Sequence, residues 1–346
     1  MKALTIHAAH DLRLEEVAEP TCAPDEVLIR LGAGGICGSD LHYFAHGGVG
    51  DFKLREPMTL GHEVAGEVVA VGAEVNRVQV GDRVAVNPSR PCLHCEPCLS
   101  GHSNLCPNMR FFGSAARFPH VQGAFAELFV ARQDQCEPLP TDMDYAVAAC
   151  AEPLAVTLHA AAQAGPLLGM QVLVVGAGPI GSLLAASARL GGATAVTITD
   201  LQDAPLRVAT QMGATHTVNV RTGALEGPFD VAFEASGSPA GLASALGALR
   251  PGGRLVQVGM LPGGLTQAPL NRVISREITF IGSFRFHREY AWAVQLLAAG
   301  RLDVTPMLSA RFPFSQAQEA FALATDRGRA VKVSLVPDSP SDGVDA

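Results

Sequence analysis

Four cysteines spaced Cys92-x-x-Cys95-x-x-Cys98-x7-Cys106 carry the strongest chemical signal in the chain. Thiolates at these intervals can wrap a tetrahedral Zn²⁺, and a closed all-sulfur shell leaves no position for a substrate. The lobe therefore reads as a structural zinc staple, with an iron centre as the minor reading. His94 and His102 lie inside the lobe and read as surface residues, because four sulfurs already fill the shell. Cys22, Cys136 and Cys150 match no metal spacing and read as small buried hydrophobes.

A second set of potential ligands is dispersed. Cys37 and His42 flank Gly38-Ser39-Asp40-Leu41, Gly61-His62-Glu63 follows, and Ala151-Glu152-Pro153 adds another carboxylate. A catalytic zinc takes three protein ligands and keeps one position open. Cys37, His62 and one glutamate would supply them. Taken singly, each of these residues is more often core or surface; their joint occurrence beside a four-cysteine lobe is what raises them.

Gly176-x-Gly178-x-x-Gly181 provides a third kind of chemistry. It follows the apolar run Gln171–Val175, opens the helical stretch Ser182–Leu190, and is succeeded by a β-rich run that ends at Asp200. In that setting Gly176 permits the tight turn. Gly178 lets the backbone approach a pyrophosphate, and Gly181 lets helix and strand pack closely. The helix N-terminus adds positive potential. A carboxylate at Asp200 suits ribose hydroxyls and repels a 2′-phosphate, so NAD is expected over NADP.

These groups need elements to hold them. Residues 1 to about 150 read as short strands with irregular connections, such as Glu26–Leu31 and Val64–Val71. From about 153 to 285 the texture changes to strands alternating with helices: Ala195–Thr199, Thr217–Val220, Phe229–Glu234, Arg254–Val258 and Ile278–Ile281 are the strand candidates. That alternation implies parallel βαβ units. The last segment predicts a helix over Glu289–Ala299, a turn at Phe312–Phe314, a helix over Ser315–Ala324, a strand over Ala330–Val336 and a disordered tail, Pro337–Ala346.

At 346 residues, with 48% hydrophobic and 17% charged side chains, the chain suits two globular domains. Its 25 Lys+Arg against 33 Asp+Glu leave a net charge of −8, and no basic stretch interrupts the pattern, so nucleic acid is not an expected partner. The apolar windows around 146–164 and 171–190 are broken by Glu152-Pro153 and by the glycine turn, so no membrane span is expected. Met1–Ile6 enters a strand-like pattern at once, without a signal peptide's apolar core. A cytoplasmic protein is the expectation, which favours metal ligation over disulfides for clustered cysteines.

With these motifs in place the chain resembles the zinc-dependent medium-chain dehydrogenases. Gly61-His62-Glu63 runs on to Gly66 and Gly72, and Gly81-Asp82-Arg83-Val84 follows; both match that family's signature. Glu152-Pro153-Leu154 stands where alcohol dehydrogenases place a cysteine ligand, which is similar to the sorbitol dehydrogenase branch. The stretches Gly34–Tyr43, Asn87–Cys92, Met109–Ala115, Phe118–Val121, Val256–Met260 and Gly282–Phe286 resemble, within that branch, the bacterial L-idonate 5-dehydrogenases.

The resemblance extends from the first strand to about Val336 and implies an α/β protein. A GroES-like, mostly β catalytic domain would comprise 1–152 and 286–346, and a Rossmann domain, a doubly wound parallel sheet, would comprise 153–285. It implies two zinc ions per subunit, one catalytic at Cys37, His62 and either Glu63 or Glu152, and one structural. Ser39 would pass the alcohol proton toward His42 or cofactor hydroxyls, and Asp40 would orient His62. Pro179, Ile180, Val258, Ser283 and Arg285 would join the glycines and Asp200 around the cofactor. Gly38 departs from the basic residue that alcohol dehydrogenases often set against the pyrophosphate. Tyr43, Arg110 and Phe112 would line the substrate pocket, with Arg110 or Arg285 meeting a carboxylate.

The activity implied is oxidation of a secondary alcohol of a sugar acid, with a neutral polyol such as sorbitol or xylitol as the alternative and threonine more distant. A non-catalytic NAD(H)- or metal-binding regulator would be marked by loss of Cys37 or His62, and both are present. A homo-oligomer, dimer or tetramer, is expected, with the edge strand near Ile278–Ile281 pairing across a twofold axis.

Overall fold

The computed structural model describes residues 1–338. Two sheets organise them. The first has seven strands, in which Glu26–Gly35 is central and pairs with Glu63–Val71, Leu128–Arg132 and Lys332–Val336. Its alternation is that of a half-buried strand: Val27, Ile29, Leu31 and Ala33 turn inward while Arg30 stays in solvent. The C-terminal strand Lys332–Val336 thus returns to the N-terminal sheet, lying antiparallel to Gly34 and Gly35.

The second sheet has six parallel strands in the order 216–219, 195–200, 171–175, 229–234, 249–257, 279–282. Val172, Leu173 and Val174 are all fully buried, as both-face coverage by helices requires. Strand order reverses between Gln171–Val175 and Phe229–Glu234, and a crevice opens there at the carboxyl ends.

The helix Ala151–Ala164 joins the two sheets and packs against the helices Pro179–Leu190 and Glu289–Ala298. The stretch Tyr145–Ala164 is apolar enough by composition to cross a membrane, yet 67% of its most apolar window is buried inside the protein. Its apolarity serves the core between the lobes, where Ala151, Leu154 and Ala155 have no exposed surface.

Most strands fall within a few residues of their expected bounds. The glycine-turn helix begins at Pro179 rather than Ser182, because proline at the first helical position already has the helical φ. The C-terminal segment differs more. Phe312 lies in a strand, Leu308–Pro313, parallel to Lys332–Val336, so there is no turn at that residue. Phe314 is buried and starts a 3₁₀ turn, which delays the helix to Ala317–Thr325. Of the tail expected to be disordered, residues 339–346 lie outside the described residues. Asp338 is anchored, accepting from Ser315 N at 3.0 Å and Ser315 Oγ at 2.7 Å.

Candidate active site

Cys37 sits where the central strand hands over to the helix Gly38–His46, as that helix's N-cap. His62 and Glu63 stand at the start of the adjacent strand Glu63–Val71. Strand pairing of Gly35 with Glu63 brings the two segments together. One ligand atom from each of Cys37, His62 and Glu63 lies within 4.8 Å of the others. Glu152, in the first turn of the helix Ala151–Ala164, is buried beside this trio but outside that radius.

Electrostatics bear on what this cluster could hold. Burial pushes the Cys37 thiol up to about 12, with the Glu63 carboxylate adding to the rise. Burial also lifts Glu152 to about 8, partly offset by His62. His62 Nδ1 is buried and has no hydrogen-bond partner. A buried thiol, an unpartnered imidazole nitrogen and two carboxylates form a donor set that fits a divalent zinc ion.

Asp40 behaves differently from its expected role. It is fully buried, but its Oδ1 stands 3.8 Å from His62 Nδ1, beyond hydrogen-bond reach. Its oxygens accept instead from Cys37 N at 2.9 Å and Gly61 N at 3.4 Å. Asp40 thus fixes the backbone on both sides of the cluster rather than the imidazole.

Sequence reasoning missed Lys332. It is 2% exposed, forms a buried ion pair with the Glu63 carboxylate, and donates to Ile36 O at 3.0 Å. A single lysine within the apolar run Val331–Val336 was the available signal.

The glycine turn has the expected geometry. Gly176 has φ +99°, and a Cβ on Gly181 would lie 1.8 Å from Gly176 O. Gly176, Gly178, Pro179, Ile180, Gly181 and Asp200 line one cleft that continues to Cys37, Glu63 and Lys332. Asp200 ends its strand, where Oδ2 accepts from Ala177 N at 2.8 Å and Oδ1 from Leu201 N at 2.7 Å and Gln202 N at 3.0 Å. These bonds hold a carboxylate at the end of the cleft. Val258 and Ser283 follow the neighbouring strands 249–257 and 279–282 but do not line this cleft; Ser283 Oγ is buried without a partner. Glu234, also missed, is fully buried at the end of its strand and accepts from Ser236 N at 2.9 Å and Gly237 N at 3.2 Å. It thereby shapes the loop facing the glycine turn.

The expected substrate residues separate. Arg110 is exposed on a two-stranded ribbon with Arg90, and alternation turns its neighbour Phe111 inward instead. Phe112 packs edge-on against Phe129 beside the β core, 6.2 Å between centroids. Tyr43 is buried with its hydroxyl accepting from Ala115 N at 2.9 Å. The aromatic ring at the site is Phe111, 5.5 Å from the His62 ring centroid.

Arg285 lies over Phe111 at 4.1 Å, in the cavity that Phe111 lines, and not in the cleft of the glycine turn. It has φ +53°, an uncommon conformation for a side-chain-bearing residue and one that clusters at functional sites. Asn104 Nδ2 donates to Phe284 O at 2.9 Å and ties this segment to the four-cysteine lobe. Burial lowers the Arg285 pKa to about 10, with Glu152 opposing the fall. Among the described residues no carboxylate lies within ion-pair distance of its guanidinium.

In the lobe itself, the Cys95–Cys98, Cys92–Cys106 and Cys95–Cys106 sulfurs are 3.4, 3.5 and 3.8 Å apart. A tetrahedral Zn–S shell separates sulfurs by about 3.8 Å, so the quartet fits zinc. The His94 amide holds the Cys92 thiol down to about 6. His94 and His102 are exposed, and all eight cysteines are free thiols. Cys136 and Cys150 are buried as expected, whereas Cys22 is only half-buried. His42 is exposed on the helix Gly38–His46.

Residues 23–141 match the alcohol dehydrogenase GroES-like domain and residues 179–299 match the zinc-binding dehydrogenase domain. L-idonate 5-dehydrogenase (NAD(P)(+)) of Escherichia coli is 43% identical over 315 residues, covering 89% of this chain and 91% of that protein. Sorbitol dehydrogenase of Bacillus subtilis is 39% identical over 350 residues, 98% of each. The crystal structure of the Escherichia coli L-idonate 5-dehydrogenase superimposes with a TM-score of 0.93 at 40% identity, covering 97% of both chains. A zinc-binding dehydrogenase of Sinorhizobium meliloti bound to NADP gives 0.89 at 31% identity, covering 97% and 99%. With two donor sets that fit zinc and a dinucleotide turn in the same cleft as one of them, the chain belongs to the zinc-dependent medium-chain dehydrogenase family, in its sorbitol and L-idonate dehydrogenase branch.

Proposed function

We propose that this enzyme oxidises the secondary alcohol of a sugar acid, L-idonate to 5-ketogluconate, and passes the hydride to NAD. The carrying observation is Arg285: a largely buried guanidinium next to the catalytic cluster, with no protein carboxylate to neutralise it. A planar fork of donors in that position matches a substrate carboxylate, and a neutral polyol leaves it unpaired.

Cys37, His62 and Glu63, with Glu152 alongside, would hold zinc, which would supply Lewis acidity toward the reacting hydroxyl. Gly176–Gly181 and Asp200 would hold NAD in the cleft that continues to Cys37, and the cofactor would supply the hydride acceptor there. The chain does the rest. Ser39 takes the hydroxyl proton and hands it to His42, three residues on and on the same helical face. Partial burial lowers the His42 pKa, with His46 and Arg327 acting in the same direction, so the ring is neutral and ready to accept. Phe111 packs under Arg285 and excludes water beside His62.

Replacing Arg285 by Ala should raise KM for L-idonate by about 10- to 100-fold, the value of a charge-assisted hydrogen bond or two, and leave KM for sorbitol nearly unchanged. Equal effects on both substrates would remove Arg285 from carboxylate recognition. Asp200→Ser should raise KM for NAD by at least about tenfold and improve use of NADP relative to NAD; an unchanged ratio would mean the ribose is held elsewhere. NADH formation on L-idonate, D-gluconate, sorbitol, xylitol and L-threonine decides the substrate class. The neutral-polyol reading draws on the sorbitol dehydrogenase relatives, and a preference for sorbitol or xylitol would establish it.

The edge strand Thr279–Gly282 leaves Phe280 41% exposed. Pairing of this strand across a twofold axis would cover it, making the enzyme a homodimer or a tetramer of such pairs; a single-chain mass in light scattering would refute this. Eight free thiols suit the cytoplasm, which cell fractionation tests.

A further inference from the structure

His159, His287 and Glu289 are used by none of the chemistry above, yet they form a third cluster of metal-type donors. Their ligand atoms lie within 4.8 Å of one another, the same closeness as Cys37, His62 and Glu63. His159 projects from the helix Ala151–Ala164 and is 4% exposed; Glu289 opens the helix Glu289–Ala298 and is 1% exposed. His159 Nδ1 is 3.2 Å and His287 Nε2 is 3.8 Å from the same oxygen, Glu289 Oε1.

Two features hold the donors in place before any ion arrives. Glu289 Oε2 accepts from His287 N at 3.0 Å, which orients the carboxylate. The Gln163 side-chain amide lies 3.5 Å from His159 Nε2. In the metal-free arrangement His159 Nδ1 donates to Glu289 Oε1 and the Gln163 amide nitrogen faces Nε2; an ion at Nδ1 would displace that proton, and the amide would turn its oxygen to accept from Nε2. The His287 side chain is 20% exposed, which provides an entry path and room for a water as fourth ligand.

We propose that His159, His287 and Glu289 form a third divalent-metal site, separate from the catalytic and four-cysteine sites, that takes Zn²⁺ or Co²⁺ through two imidazoles and one carboxylate. This donor set, without sulfur, suits borderline cations and not Mg²⁺ or Ca²⁺. A bound ion would clasp the helix that carries Glu152 to the helix that follows Arg285, so it would tighten the joint between the two lobes without touching substrate.

The test uses untagged holoenzyme with zinc already in both cysteine-containing sites, titrated with Co²⁺ while the absorption spectrum is read. The expected result is one equivalent of cobalt per chain, with weak visible bands and no near-ultraviolet thiolate charge transfer. Exchange into either cysteine site would show the thiolate bands. His287→Ala should abolish this uptake and leave NADH formation without added metal within about twofold, since His287 touches no catalytic group. Gln163→Leu should weaken uptake by about 10- to 100-fold, as loss of an orienting partner does, and it serves as a second variant with all three ligands intact. The proposal is overturned if the wild type takes up no cobalt free of thiolate bands, or if His287→Ala binds cobalt as tightly as the wild type.

Discussion

Cys37→Ala should lower NADH formation at least about a thousandfold while NADH still binds with nearly its original affinity. With the proposed ligands Cys37, His62 and one glutamate, removing Cys37 leaves two, too few for a stable catalytic zinc. The Lewis-acid contribution to the barrier is several kcal/mol, and each 1.4 kcal/mol is tenfold in rate. The proposed cofactor contacts lie on a different segment, the turn Gly176–Gly181 and Asp200, so the two readouts separate. Cys37 is the N-cap of Gly38–His46, and the bond from its own backbone N to Asp40 Oδ2, 2.9 Å, does not depend on the thiol. The helix should therefore survive the change. Metal analysis should show about one zinc per chain instead of two, because the Cys92–Cys106 lobe is untouched. A variant with that zinc content and near-wild-type turnover would disprove the role of the Cys37 cluster.

What could be read from the sequence was the part encoded locally. The strand Gln171–Val175, the glycine turn and Asp200 are consecutive in the chain, and their geometry follows from short-range rules. The cysteine lobe is equally local. The errors arose where a side chain's direction depends on distant packing. Phe111 and Phe112 are neighbours, and only the pairing of Arg110–Phe111 with Ser89–Arg90 decides which ring meets His62. Glu63 and Glu152 are equivalent as candidates in the sequence, and only the strand pairing and the helix show that Glu63 lies nearer to Cys37 than Glu152 does. Arg285 could be named from its motif but not assigned, since its position over Phe111 joins residues 174 apart in sequence. Lys332 was invisible for the same reason, being brought to Glu63 by the return of the last strand to the first sheet.

In the metal-free protein Lys332→Met should destabilise the fold by about 3–5 kcal/mol, since breaking a buried ion pair leaves the Glu63 charge uncompensated. For a chain of 346 residues this corresponds to a fall of roughly 5 °C in the thermal midpoint. Both partners of the Lys332–Glu63 pair are at most 2% exposed, so solvent screens them little. Burial alone would drive the proton off Lys332, but the Glu63 carboxylate reverses this and raises its pKa above the ordinary lysine value. A pKa higher in the folded than in the unfolded chain means that the pair contributes fully below about pH 10 and is lost only in stronger alkali. At neutral pH the whole effect should therefore be visible. The double variant Lys332→Met/Glu63→Gln separates two explanations. If the cost is an orphaned charge, the neutral amide should recover much of the stability although catalysis is lost with the ligand. If the cost is misfit of methionine in the strand, the second substitution should bring no recovery, and Lys332 would then be a packing residue whose charge is incidental. Recovery would show that the strand returning to the first sheet also neutralises a carboxylate that the catalytic cluster needs ionised.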